Sequence, residues 1–226
     1  KAEFPWMAMV RDLVIHSSGD LVIATHGRGI YIIDDLGPLR EINKADLSQD
    51  VLFLESREAY CSSGRMGGNQ TWNAGEYNGA NYTDNAVITY YLKDRMSSGD
   101  AKILIRDSTG KVIRDLPAGK RKGINKIAWD MRLAPPKVPE GGTKLSFGGF
   151  MGPLVLPGKY SAELRVGNQT YNHDFEIKAD DLADYTVEER KSQFDLSMKL
   201  FNQLEQLAAR MEEITLYQEQ ADSLMK

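Results

Sequence analysis

The chain carries one cysteine, Cys61, among its 226 residues, so no disulfide can close within it. That scarcity leaves the redox compartment open, since bacterial secreted proteins often lack cysteine and cytosolic ones keep theirs reduced. No apolar run approaches the ~20 residues that a membrane-crossing helix needs. Basic residues are the minority charge: 28 Lys and Arg against 32 Asp and Glu leave a net charge of −4, without the footprint of a nucleic-acid binder. His16, His26 and His173 stand without the spacing of zinc ligands. A Gly-x-Ser-x-Gly elbow, a phosphate-cradling loop, a dinucleotide fingerprint and an EF-hand loop are all missing. The adjacent carboxylates Asp34-Asp35 and Asp180-Asp181 cannot act as a glycosidase pair, because neighbours on a strand point to opposite faces. No catalytic residue, metal site or cofactor is expected in this chain.

What is present is strand chemistry. Leu21-Val22-Ile23-Ala24 and Ile30-Tyr31-Ile32-Ile33 flank the turn Thr25-His26-Gly27-Arg28-Gly29, a hairpin pattern. Arg11–His16 reads as a third strand, turned into the second by Ser17–Asp20. Val51–Leu54 is a short apolar strand leading to the next domain, and residues 57–85 read as one long ordered loop rich in Gly, Asn and Ser. Strands follow at Ala86–Leu92, Ala101–Asp107, Lys111–Leu116 and Gly123–Asp130, the last with Ile124, Ile127 and Trp129 as its apolar members. After a Pro- and Gly-rich loop at 134–153, Gly158–Ile177 forms a hairpin turning at Gly167-Asn168, with Tyr160, Ala162, Leu164 and Val166 on one face. Short strands with turns every 8–12 residues predict an immunoglobulin-like sandwich.

From Thr186 the pattern changes. Thr186-Val-Glu-Glu189 has the form of a capping box, and the chain from Arg190 to Lys226 contains neither Pro nor Gly. Leu200, Leu204, Leu207, Met211, Ile214, Gln218, Ala221 and Met225 are in 4-3 spacing, which predicts one long helix with an apolar interaction stripe. Its partner would be another copy of the chain or another protein.

The segment from Leu13 to Ile42, with its Thr25–Asp35 core, resembles the closing blade of secreted Asp-box propellers, the sortilin-like proteins often labelled glycosyl hydrolases. The Asp box itself is absent. The stretch Ala128–Arg132 and the Pro157-Gly158-x-Tyr160 turn resemble the immunoglobulin-like domain of flagellar hook-capping proteins, in which Trp129-Asp130 closes one strand and Pro157-Gly158 opens the next. Taken together, the chain is expected to be mainly β. Residues 1–43 would be the last strands of a truncated propeller, 44–180 a sandwich, and 181–226 a C-terminal helix. The resemblance implies a secreted, periplasmic or cell-surface protein whose preceding propeller belongs to the same polypeptide, and a spacer or docking role without catalysis here.

Two ligand readings accompany this one. His26 and Arg28 would meet an anionic or sugar ligand at a propeller mouth, against the favoured reading that Gly27 and Gly29 shape a turn while Arg28 pairs with Asp34 or Asp35. Trp72, Tyr77 and Tyr82 would offer sugar rings a stacking platform, the alternative being that they anchor a long connection. That platform would make the chain an accessory module of a glycoside hydrolase.

Overall fold

Alternating side chains lay out the N-terminal sheet. The computed structural model describes residues 8–61, 83–97, 101–138, 151–167, 169–180 and 184–225. Strands β1 (Val10–Ile15), β2 (Leu21–Thr25) and β3 (Ile30–Ile33) pair antiparallel in that order. Leu13, Ile23 and Tyr31 share one cross-strand row, and Val14, Val22 and Ile32 the next. Successive rows face opposite ways. One face therefore carries Leu13, Ile15, Leu21, Ile23, Tyr31 and Ile33, the other Val14, Val22, Ala24, Ile30 and Ile32, with Asp12 opposite Ala24. Apolar side chains dominate both faces, yet of them only Ile23 is buried.

The stretch after β3 is a short helix, α1 (Gly37–Ile42), with Pro38 in its first turn where a missing N–H costs nothing. It leads to a sandwich of two sheets. Strands β4 (Val51–Leu54), β6 (Ala86–Leu92) and β9 (Gly123–Trp129) form one sheet in the order β4-β6-β9. The other runs β5-β11-β10-β7-β8, from β5 (Ala59–Cys61), β7 (Ala101–Arg106), β8 (Val112–Pro117), β10 (Gly158–Val166) and β11 (Gln169–Ala179). Val51–Leu54 is thus part of the sandwich. The expected loop at 57–85 contains a strand: β5 pairs in parallel with β11, Ala59 opposite Ile177 and Cys61 opposite Ala179. A three-residue strand is too short for periodicity to reveal.

Both sheets feed one core. Trp129, Tyr90, Ile103, Ile105, Ala162 and Leu164 are all fully buried in it, at 0% exposure. Each large apolar side chain buried this way contributes about 1.5–3 kcal/mol. The Tyr90 hydroxyl donates to the Gly119 carbonyl at 2.8 Å, so even its polar end is satisfied. In β9 the inward positions are Asn125, Ile127 and Trp129; Ile124, grouped with them from sequence, lies on the opposite face. Asn125 is buried because its side-chain amide donates to the carbonyls of Arg121 and Gly123 at 2.7 and 3.0 Å. Beside the core, a Cβ on Gly152 would sit 2.2 Å from the Leu133 carbonyl oxygen, so only glycine fits there.

Helix α2 (Val187–Leu224) begins with the capping box expected from sequence: Thr186 accepts from the Glu189 N–H, and the Glu189 side chain accepts from the Thr186 N–H at 2.8 Å. Its sheltered side, however, is not the predicted stripe. Arg190 and Ala208 are buried, and Phe194, Met198, Phe201 and Leu204 half-buried between them. Leu200, Leu207, Met211 and Ile214 are exposed, and of the expected stripe only Leu204 turns partly inward. The two rows are adjacent, about 100° apart around the helix, and counting leucines picks the wrong one. Every described residue after Ala208 is exposed. No helix among the described residues is long and apolar enough to cross a membrane.

Candidate functional site

The Thr25–Gly29 turn is closed on itself. Gly27 and Gly29 have φ of 73° and 83°, values natural to glycine, and the Thr25 hydroxyl donates to the Gly29 carbonyl at 2.6 Å. The His26 N–H reaches the Met9 carbonyl at 2.9 Å. The side chains of His26 and Arg28 are exposed at the tip. Arg28 makes no ion pair with Asp34 or Asp35 among the described residues, so the expected pairing does not form.

Arg57 takes that place instead, from the sandwich side. Its guanidinium pairs with the Asp20 carboxylate and donates to the Ser18 carbonyl at 3.0 Å, both in the β1–β2 turn. Its backbone N–H donates to the Asp35 carboxylate at 2.9 Å, while the Asp35 N–H donates to Asp20 at the same distance. Asp35 is buried, holds φ of 54°, and also accepts from the Gly37 N–H at 3.1 Å. Burial pushes the Asp20 carboxyl up, but hydrogen bonds from Ser18 and the Asp35 N–H, with the Arg57 charge, outweigh it and hold the group below its usual value. Sequence reading missed this cluster, because 37 residues separate Asp20 from Arg57.

The same turn holds a serine, a histidine and an aspartate in contact. His16 Nδ1 lies 2.7 Å from the Ser18 hydroxyl, which donates to Asp20 at 2.6 Å. This wiring is the reverse of a nucleophile's. A catalytic serine gives its proton to the imidazole, whereas the Ser18 proton is committed to the carboxylate. The trio closes a turn.

Trp129 packs edge-on against Tyr160 and Phe175, with ring centroids 5.6 and 6.2 Å away, and its indole N–H donates to the Arg132 carbonyl at 2.9 Å. Asp130 accepts from the Arg132 N–H at 3.2 Å and lies 3.6 Å from the Arg114 guanidinium. Pro157 and Gly158 lead into β10, where the Tyr160 hydroxyl donates to the Leu156 carbonyl at 2.6 Å. Burial pushes the phenols of Tyr90 and Tyr160 up to about 12. These residues hold the sandwich closed.

Cys61 is buried, and burial pushes its thiol up despite the Arg190 guanidinium nearby. A nucleophilic thiol needs the opposite shift and access to solvent. Arg190 donates to the Leu154 and Val155 carbonyls, each at 2.8 Å, and so ties α2 to the sandwich. Two clefts lie beside β11. One of about 650 Å³ runs between the Asp107–Gly110 turn and Lys159–Ser161. Its Asp107 carboxylate is taken up by the Thr109 N–H, the Thr109 hydroxyl and the Lys111 N–H. The other, about 310 Å³, borders Glu58, paired with Lys178, and His173, which stacks on Phe53 at 5.0 Å and is held below its usual pKa by burial. Among the described residues no three His, Cys, Asp or Glu side chains group as metal ligands. Trp72, Tyr77 and Tyr82 lie outside the described residues, as does Asp181.

No family model and no curated protein matches the chain. One solved structure similar to it is PorZ of Porphyromonas gingivalis, described as an essential bacterial surface component of the type-IX secretion system. The identity is 13%, over 75% of this chain and 23% of PorZ, with a TM-score of 0.25. This chain thus spans under a quarter of PorZ, and at that score the likeness carries no inference about fold or function.

Proposed function

We propose that the chain is a non-catalytic docking and spacer segment of a larger β-rich protein working at the cell surface or outside the cell. Residues 1–43 are its docking unit, the last blade of a propeller formed by the same polypeptide. Residues 44–180 are an immunoglobulin-like spacer, and 181–226 a helix that meets a further partner. The observation that carries this reading is the β1–β3 sheet, apolar on both faces: Leu13 and Ile15 on one are 57% and 55% exposed, Val14 and Ile32 on the other 53% and 59%. An antiparallel sheet with one wet face alternates apolar and polar side chains. A sheet apolar on both sides is built to lie between two other layers, as propeller blades do. Asp35 of the adjacent pair Asp34-Asp35 has both oxygens engaged by backbone N–H groups, which suits a structural role.

Amide hydrogen exchange on the chain alone tests the docking role. We expect β1–β3 to exchange at least about a hundredfold faster than β7 and β10, as an unpartnered element does. The sheet should also bind a hydrophobic dye, with the signal reduced by Val14→Lys or Ile32→Lys. Protection in β1–β3 equal to that of β7, with no dye binding, would overturn the docking role. Turnover of a chromogenic glycoside by this chain would overturn its non-catalytic character.

A further inference from the structure

Among the described residues, the hydrogen bonds and the ion pair that join the N-terminal sheet to the sandwich meet in one polar cluster. Asp20 sits in the β1–β2 turn, Asp35 just beyond β3, and Arg57 between β4 and β5. Each bonds the other two: Arg57 to Asp20 through its side chain, Arg57 to Asp35 through its backbone N–H, and Asp35 to Asp20 through its own N–H. Two further bonds brace it. The Leu36 N–H donates to the Gly19 carbonyl at 3.0 Å, and the Glu55 N–H donates to the Glu41 carboxylate. The side chains of Arg57 and Asp20 are only 22% and 16% exposed, so water screens the pair less than it would a surface bridge. Asp35 holds a positive φ, a conformation a non-glycine residue keeps only where its surroundings over-determine it.

From this geometry we propose that Asp20, Asp35 and Arg57 form a latch that fixes the β1–β3 sheet to the sandwich as one mechanical unit. With the latch closed, whatever holds the sheet also sets the direction of the sandwich and of α2. With it open, the sheet swings on the connection through α1. The proposal goes beyond the docking reading and stands without it, because the latch lies inside this chain.

Pulsed electron resonance on the whole chain tests it, with nitroxide labels on cysteines replacing the exposed Arg28 and Lys111. The wild-type latch should give one narrow distance distribution. Arg57→Met keeps the aliphatic stem and removes the charge; it should broaden the distribution while leaving the β7 and β10 amides protected. The Asp35 amide should exchange about tenfold faster once its acceptor is freed to move. Should Arg57→Met unfold the sandwich, Asp20→Asn decides the question from the other side, since Asp20 lies outside the sandwich. A distribution as narrow as wild type in Asp20→Asn, or in a folded Arg57→Met, overturns the latch. Neither result depends on a partner, so failure here is separable from failure of the docking role.

Discussion

At the scale of single residues, the sandwich depends on a few large side chains whose polar ends are all met. Trp129 is fully buried and its indole N–H is satisfied by the Arg132 carbonyl. Trp129→Ala removes that plug from between the sheets and should cost about 3–5 kcal/mol, the usual range for a buried aromatic. Urea unfolding followed through β7 and β10 measures it, and a loss under 1 kcal/mol would show that the sheets close without the indole. The tyrosines give a second readout. Tyr90 and Tyr160 are pushed up to about 12 by burial, against an ordinary value near 10. Folding thus retains these two phenolic protons. Their contribution to stability is whole below pH 10 and is lost as pH rises through 12. A spectrophotometric titration should show a late phase near pH 12 that Tyr90→Phe and Tyr160→Phe each diminish; the absence of that phase would contradict this packing. Tyr90 was legible in sequence only as a strand position, because its acceptor Gly119 is fixed by tertiary structure, whereas Tyr160 follows Pro157-Gly158 closely enough for its acceptor Leu156 to be local.

At the scale of elements, local chemistry was easy to read and phase was not. Thr186 and Glu189 lie three residues apart, so the helix start could be read directly and the capping box forms. The sheltered side of α2 could not, because apolar residues occupy two adjacent rows and sequence does not say which one is covered. The structure chooses the row of Arg190, Phe194, Phe201 and Ala208 and leaves Leu200, Leu207, Met211 and Ile214 in water. The rows should answer differently to charge. Ala208→Asp would bury a carboxylate with no partner and should lower the melting temperature by several degrees. Leu207→Asp, at a site 51% exposed, should leave melting nearly unchanged and weaken any self-association seen by sedimentation. If the two variants melted alike, the assignment of rows would be wrong. A similar limit explains β5: three residues carry no period, and their pairing is set by the distant β11.

At the scale of the whole molecule, sequence and structure agree on a mainly β chain ending in a long helix, and differ on what joins its parts. The hairpin turn Thr25–Gly29 stands out by composition, yet its His26 and Arg28 side chains are exposed, while the plainer Ser17–Asp20 turn supplies the acceptor that Arg57 grips. Composition marks turns, but it cannot say which of them faces another domain, because that depends on residues 37 positions away in sequence. The joint has a consequence for cooperativity. If Asp20 and Arg57 couple the sheet to the sandwich, their energies must be non-additive, as for any pair of charged groups in direct contact. Asp20→Ala and Arg57→Ala would each lose the shared bond, so the double variant should cost less than the sum of the two singles. The deficit should be about 0.5–3 kcal/mol, the range measured for contacting residues. Arg114 and Asp130, 3.6 Å apart within the sandwich, supply the control pair. Their cycle should also couple, but only the Asp20–Arg57 cycle should change the exchange of the β2 amides relative to those of β7. Strict additivity at Asp20 and Arg57 would mean that the two units share a boundary without sharing stability.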